Sequence, residues 1–269
     1  MPYFAAQRFR IPISIARRLI LIRDSAFMDG YLRDCPSSVA SSHHRKALVI
    51  PHHGRSLEAV YVAPRAPSAA VLLFHGIGDR LDYWRTAQLL LADHNIASLI
   101  FHYSGFGRSS GSLTPGNLHQ DAHAAYAALH SLLPARIPLH LIGFSLGSGV
   151  ATEVVAHLSP QPAGLILCQA FPSLRAATAR IASPVFAPLL PDIWHTQRTV
   201  ATLQMPLLVV HGDADQLFPV AMAQQIADAA GISLIQPRGY AHPDPYLRPT
   251  LDYWQPILNF IHRSSAETR

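Results

Sequence analysis

From residue 69 onward the chain alternates between two kinds of apolar pattern. A continuous apolar run stands at 71–74, and short, mostly apolar stretches at 96–102, 139–143, 164–169 and 207–210. Runs of this length predict strands buried on both faces, as in a parallel sheet. Between them, apolar positions recur at three- and four-residue steps. That spacing predicts helices over about 81–93, 117–133, 146–157, around Gln225, and over 251–261. A last short strand is predicted at 234–236. Strand and helix in regular alternation imply an α/β fold, a mostly parallel sheet with helices on both faces. In such a sheet, chemistry is expected just past the carboxyl ends of the strands.

The part before residue 69 is patterned differently. Apolar runs at 47–50 and 57–62 flank His52-His53-Gly54-Arg55, which reads as a hairpin. Residues 31–45 are polar and loop-like. In residues 1–30, Ile15, Leu19, Ile22 and Ala26 share one helical face, and Arg8, Arg10, Arg17, Arg18 and Arg23 precede the first acid, Asp24. A basic amphipathic helix of this kind either lies on an anionic membrane surface or packs on its own domain with its arginines in water. The longest apolar run there, 19–22, is too short for a signal-peptide core or a membrane span. The expected division is residues 1–45 as a basic segment and linker, and 46–269 as the folded domain.

Composition changes this picture little. Of 269 residues, 49% are hydrophobic and 14% charged, enough for a large core and unlike a disordered chain. The net charge of +5 belongs to the N-terminal quarter. The body lacks the basic, aromatic-rich patch that nucleic acid requires. The two cysteines, Cys35 and Cys168, suggest no disulfide framework, and Cys168 sits in an apolar run. A reducing, cytoplasmic setting is expected, peripheral to a membrane if residues 1–27 bind one. His43, His44, His52 and His53 cluster without metal-ligand spacing, so no metal is expected there.

The chemistry gathers around Gly143-Phe144-Ser145-Leu146-Gly147, a G-x-S-x-G pattern between a predicted strand and a predicted helix. A tight strand-to-helix turn crowds the positions two residues either side of the serine. Glycines there relieve the crowding and leave the hydroxyl of Ser145 raised above the sheet. A serine needs a base, a group to orient that base, and donors for an oxyanion. The acid is expected in His211-Gly212-Asp213-Ala214-Asp215, with Asp215 preferred and Asp213 as the alternative, a turn cap. The base is expected at His242, just past the last strand. The oxyanion donors are expected to be the backbone N–H groups of Leu146 and of Ile77, the latter in His75-Gly76-Ile77-Gly78.

With these pieces and Tyr103-Ser104-Gly105-Phe106-Gly107-Arg108-Ser109, the chain resembles the α/β-hydrolase-fold serine hydrolases over about residues 46–265. More narrowly, it resembles the BEM46/ABHD13-like members of the serine aminopeptidase S33 type. The resemblance implies nucleophile Ser145, acid Asp215 and base His242, with no cofactor. Ala241 stands where relatives usually carry a second glycine before the histidine. The insertion at about 172–200 is too short for a large helical lid, so a small cap is expected. Phe171, Phe186, Leu189, Leu190, Ile193 and Trp194 either line an acyl site or form the core of that cap. The expected activity is cleavage of a small-molecule carboxylic ester or thioester through an acyl-enzyme. The alternatives are peptidase or acyl-transfer chemistry with the same residues, and a non-catalytic, membrane-associated binding module.

Overall fold

In the computed structural model, the described residues are 43–267 without 183, 186 and 190–192. The predicted N-terminal helix, Cys35, Phe186 and Leu190 therefore lie outside the described residues. A hairpin opens the described chain: β1 (His44–His52) pairs antiparallel with β2 (Arg55–Ala63). The pairing begins at His44, inside the stretch expected to be linker. At the turn, His53 and Gly54 both have positive φ, 43° and 73°. Positive φ at both central residues matches the twist of a two-residue hairpin.

The rest follows the predicted alternation. β3 (Ala69–Phe74), β4 (Ile96–Phe101), β5 (Leu139–Phe144), β6 (Gly164–Cys168) and β7 (Leu207–Val210) form one sheet with the hairpin, in the order β1-β2-β4-β3-β5-β6-β7. The pairs among β3 to β7 are parallel, and β2 joins β4 antiparallel. The helices are α1 (Arg85–Asp93), α2 (Pro115–Leu132), α3 (Leu146–Val154), α4 (Leu174–Ile181), α5 (Thr196–Val200), α6 (Val220–Ala229), α7 (Asp244–Leu247) and α8 (Leu251–Glu267).

Alternate residues of one strand feed opposite layers, as a pleated strand requires. Leu141 packs with Leu118, Ala122, Val150 and Ile226 on one face, where α2, α3 and α6 lie. Its neighbour Ile142 packs with Leu91, Trp254, Ile257 and Ile261 on the other, where α1 and α8 lie. Each fully buried side chain of this size contributes about 1.5–3 kcal/mol of transfer free energy, and this is why the apolar runs become central strands. The starts of α2 and α4 are set locally. Thr114 Oγ1 accepts from the N–H of Asn117, and Ser173 Oγ accepts from the N–H of Ala176; both are N-cap bonds.

One predicted element is corrected. No strand forms over 234–236; only Ile235 bridges, parallel, to Val210. Its N–H donates to Val209 O and its carbonyl accepts from His211 N. Pro237 follows two residues later and has no N–H for a ladder. The single bridge still brings residues 237–242 alongside 211–215, which matters for the site.

Candidate active site

Central strand β5 delivers Ser145 to the first turn of α3. The serine backbone lies at φ 53°, ψ −119°, a region a non-glycine residue occupies only under constraint. The constraint is visible in its surroundings. A Cβ on Gly143 would stand 2.6 Å from Gly147 O, and one on Gly147 would stand 2.0 Å from Phe74 O. Only glycine lets the elbow close against itself and against β3. The N–H of Ser145 donates to Cys168 O on neighbouring β6, and its carbonyl accepts from Ser148 N–H and Oγ–H. The turn is thus pinned on both sides.

Asp215 and His242 reach the serine from the loops after β7 and after the Ile235 bridge. His242 Nδ1 lies 2.7 Å from Asp215 Oδ2, and His242 Nε2 lies 3.0 Å from Ser145 Oγ. A carboxylate only accepts, so Nδ1 carries the proton and Nε2 offers its lone pair to the serine hydroxyl. Ser145 and Asp215 are 4% and 7% exposed, so this chain is largely shielded from water. Asp215 Oδ1 accepts from the N–H groups of Leu217 and Phe218. Burial pushes the Asp215 carboxyl up, but the bond and charge of His242 and the Phe218 N–H outweigh it, and the group sits below its ordinary value. His211 is fully buried, and its Nε2 donates to Phe218 O while standing 3.4 Å from Asp215 Oδ2. The rings of Phe144 and Phe218 flank the imidazole at 5.1 and 5.4 Å. Asp213, the alternative acid, instead accepts from Gly239 N–H and ties the two loops together.

The third part is the loop after β3. A Cβ on Gly76 would lie 3.3 Å from Ser145 Cβ, so this loop runs directly against the serine. Ile77 follows at its crest, half-buried. Leu146 occupies the first position of α3, where an N–H has no intrahelical acceptor and the helix dipole favours negative charge. The loop is held from behind by Asp79. Its Oδ2 accepts from Gly76 N–H and Trp84 Nε1–H, and its Oδ1 from Tyr246 O–H, a residue of α7 just beyond His242. His75 adds further bracing. Its Nδ1–H donates to Gly76 O, its Nε2 accepts from His102 Nδ1–H, and its carbonyl accepts from Tyr103 O–H. Burial and the neighbouring His75 push the pKa of His102 down to about 4, so that ring is neutral at pH 7.

The sequence did not single out Asp79, Tyr246 or His211 for these roles. The available signal for Asp79 was its spacing, three residues after Gly76, from which an aspartate can accept from the backbone behind it. The six cap residues divide. Phe171 is buried against Phe218, and Trp194 is buried with its Cβ against Gly149. Both belong to the core. Ile193 is half-buried against that core, and Leu189 is 68% exposed. A cavity of about 740 Å³ lies elsewhere, beside the hairpin, with Glu58, Leu81, His102 and Arg108 among its walls. Among the described residues, no group of three or more His, Cys, Asp or Glu side chains is placed to hold a metal ion, and no helix is long and apolar enough to cross a membrane.

A strained serine at the carboxyl end of the central strand of a mostly parallel sheet, with an imidazole and a carboxylate in line behind it, defines an α/β hydrolase of the serine-hydrolase type. Comparison with known proteins places the chain more narrowly. It belongs to the serine aminopeptidase, S33, family, whose model matches residues 65–199. An uncharacterized protein of Mycobacterium tuberculosis is 31% identical over 217 residues, covering 74% of this chain and 70% of its own length. The lysophosphatidylserine lipase ABHD12 of Danio rerio is 28% identical over 150 residues, 49% of this chain and 39% of that protein. Among solved structures, the Pyrococcus furiosus esterase Pf2001 shares the fold with a TM-score of 0.68 at 18% identity, over 85% of this chain and 96% of that one.

Proposed function

We propose that the protein is a cofactor-free serine hydrolase that cleaves a carboxylic ester or thioester through an acyl-enzyme on Ser145. The observation that carries the proposal is the unbroken line from Asp215 Oδ2 through His242 to Ser145 Oγ, 2.7 and 3.0 Å, at a strained elbow. In this reading Ser145 Oγ attacks the substrate carbonyl carbon as His242 Nε2 takes its proton. Asp215 stays ionised and stabilises the imidazolium. The N–H groups of Leu146 and Ile77 receive the oxyanion of the tetrahedral intermediate. The intermediate collapses, the carbon–heteroatom bond breaks, and the proton on His242 passes to the leaving alcohol or thiol. Water, deprotonated by the same imidazole, then releases the carboxylic acid and regenerates the serine.

Family membership supports hydrolysis as the reaction class. The ABHD12 relative is named as a lysophosphatidylserine lipase and Pf2001 as an esterase, which favours the ester among the bonds a serine hydrolase attacks. The family's own description, an aminopeptidase, favours the amide as the second reading. Substrate choice lives in the pocket rather than the fold.

The test is hydrolysis of p-nitrophenyl esters from acetyl to palmitoyl by the full chain, with Ser145→Ala beside it. Turnover by the wild type and a loss of several orders of magnitude in the variant are expected. Fluorophosphonate labelling separates the remaining cases. A labelled Ser145 without ester turnover moves the bond to an amide, and an unlabelled Ser145 refutes catalysis and leaves a binding role.

A further inference from the structure

The three residues of the proposed site come from three separate loops. All three loops meet at the end of β6, at Cys168 and Gln169. The Cys168 carbonyl accepts from the N–H of Ser145 at 3.0 Å. Gln169, next in the chain, is fully buried at φ 49° and extends its amide between the other two loops. Its Oε1 accepts from Gly212 N–H at 2.8 Å, and its Nε2 donates to Ala241 O at 3.3 Å. Gly212 opens the loop to Asp215, and Ala241 immediately precedes His242. We propose that Gln169 is a positioning residue for the reaction, holding the acid-bearing and base-bearing loops in register with the nucleophile. The proposal rests on the serine-hydrolase reading.

Chemistry explains why a glutamine should occupy this place. Gly212 offers only a donor and the Ala241 carbonyl only an acceptor, so the bridging group must present one acceptor and one donor together. A carboxamide does so without charge. The site is also costly to build, because a side chain other than glycine, asparagine or aspartate is uncommon at positive φ. The loops it joins are already in contact. A Cβ on Gly212 would stand 2.3 Å from Tyr240 O, and outside that contact Asp213 N–H donates to Pro237 O while Asp213 Oδ1 accepts from Gly239 N–H. These outer ties keep the loops together without Gln169. The amide adds the inner tie, the one adjoining His242. The Ala241 carbonyl also accepts from Asp244 N–H at 3.2 Å, a bond within its own loop. The Gln169 amide is the bond that joins this point to the acid-bearing loop, and its loss lets the two loops shift against each other there and carries His242 Nε2 off its line to Ser145 Oγ.

The test compares wild type, Ser145→Ala, Gln169→Met and Gln169→Glu as full chains. Fluorophosphonate titration counts competent sites, and kcat and KM for a p-nitrophenyl ester are then expressed per site. Gln169→Met keeps the volume and removes both hydrogen bonds. It is expected to lower kcat per site about 10–100-fold, the scale set by misplaced reacting groups, with KM unchanged. Gln169→Glu restores both bonds while its buried carboxyl is neutral, with C=O accepting and O–H donating, and loses the donor when it ionises. Its kcat relative to wild type is therefore expected to be near unity at the acid end of the profile and to fall as pH rises. A Gln169→Met enzyme with wild-type kcat per site overturns the proposal, as does one whose loss lies only in KM. If Gln169→Met does not fold, Gln169→Glu decides: a kcat per site well below wild type at the acid end of the profile, where the neutral carboxyl restores both bonds, overturns the proposal. A wild type that neither turns over esters nor labels at Ser145 refutes the hydrolase reading itself and this inference with it.

Discussion

Lowering the pH should destabilise this protein through a residue remote from the catalytic loops. His140 is the second residue of central strand β5, fully buried, and its Nε2–H donates to Ser264 Oγ in α8 at 2.7 Å. Burial pushes the pKa of this ring from 6.5 down to about 4, with the Ala70 backbone partly opposing and His262 adding a little. The folded chain therefore keeps the imidazole neutral where the unfolded chain takes up a proton. The sign follows. The contribution to stability is whole above about pH 6.5 and is lost as pH falls from there toward 4. At about 1.4 kcal/mol per pH unit, the full span is worth about 3 kcal/mol, and about 2 kcal/mol is gone by pH 5. Against a total stability of about 5–15 kcal/mol this is measurable. The assay is urea unfolding followed by tryptophan fluorescence at pH 7.5 and pH 5, for wild type and His140→Leu. In the variant, Ser264 Oγ keeps its bond to Phe260 O. Wild type should lose about 2 kcal/mol more than the variant between the two pH values, at constant m. Other histidines, His102 included, titrate in both proteins and cancel in the difference. Equal losses in the two proteins would refute the reasoning.

Three further outcomes are expected. Gly147→Ala forces a methyl group to 2.0 Å from Phe74 O, so it should cost at least about 1–3 kcal/mol and lower the calorimetric Tm by about 2–4 °C per kcal/mol; a wild-type melting curve would contradict the close approach. Asp79→Ala strands Gly76 N–H, Trp84 Nε1–H and Tyr246 O–H; ester kcat should fall about 10–100-fold, and chemical denaturation should show a loss of about 1–3 kcal/mol for each donor left buried and unpaired. Asp215→Asn substitutes an amide for the acceptor of His242 Nδ1–H and favours the wrong tautomer, so steady-state kcat should drop by about 10⁴-fold while the circular dichroism spectrum is retained.

The central strands could be read from the sequence because burial on both faces demands apolar runs, and 71–74 and 207–210 supply them whole, with 139–143 broken only by His140. The hairpin could be read because its turn carries glycine at a position of positive φ. Ser145, Asp215 and His242 could be read for a related reason: each follows close behind the chain's arrival at the sheet edge, with glycines nearby. Other features depend on partners that are distant in sequence. The strand expected at 234–236 shrinks to one bridged residue because Pro237 interrupts the ladder. Helices as short as Thr196–Val200 and Asp244–Leu247 are too brief to show a period. Asp79 looks like any loop aspartate until Tyr246 is brought across to it. Trp194, read from the sequence either as acyl-site lining or as cap core, packs on the glycine face of α3.

The order of the site along the chain has a consequence for the protein while it is being made. All seven strands precede His211, whereas Asp215 and His242 come after the sheet is complete. A nascent chain therefore carries its serine, and the strands on either side of the elbow, before it possesses the base proposed to activate it. The proposed base arrives last, with the loop that carries His242. A polypeptide clipped ahead of that loop would also lack α8, whose Trp254, Ile257 and Ile261 cover one face of the sheet, so an unfinished copy would be without both the proposed base and half of its core.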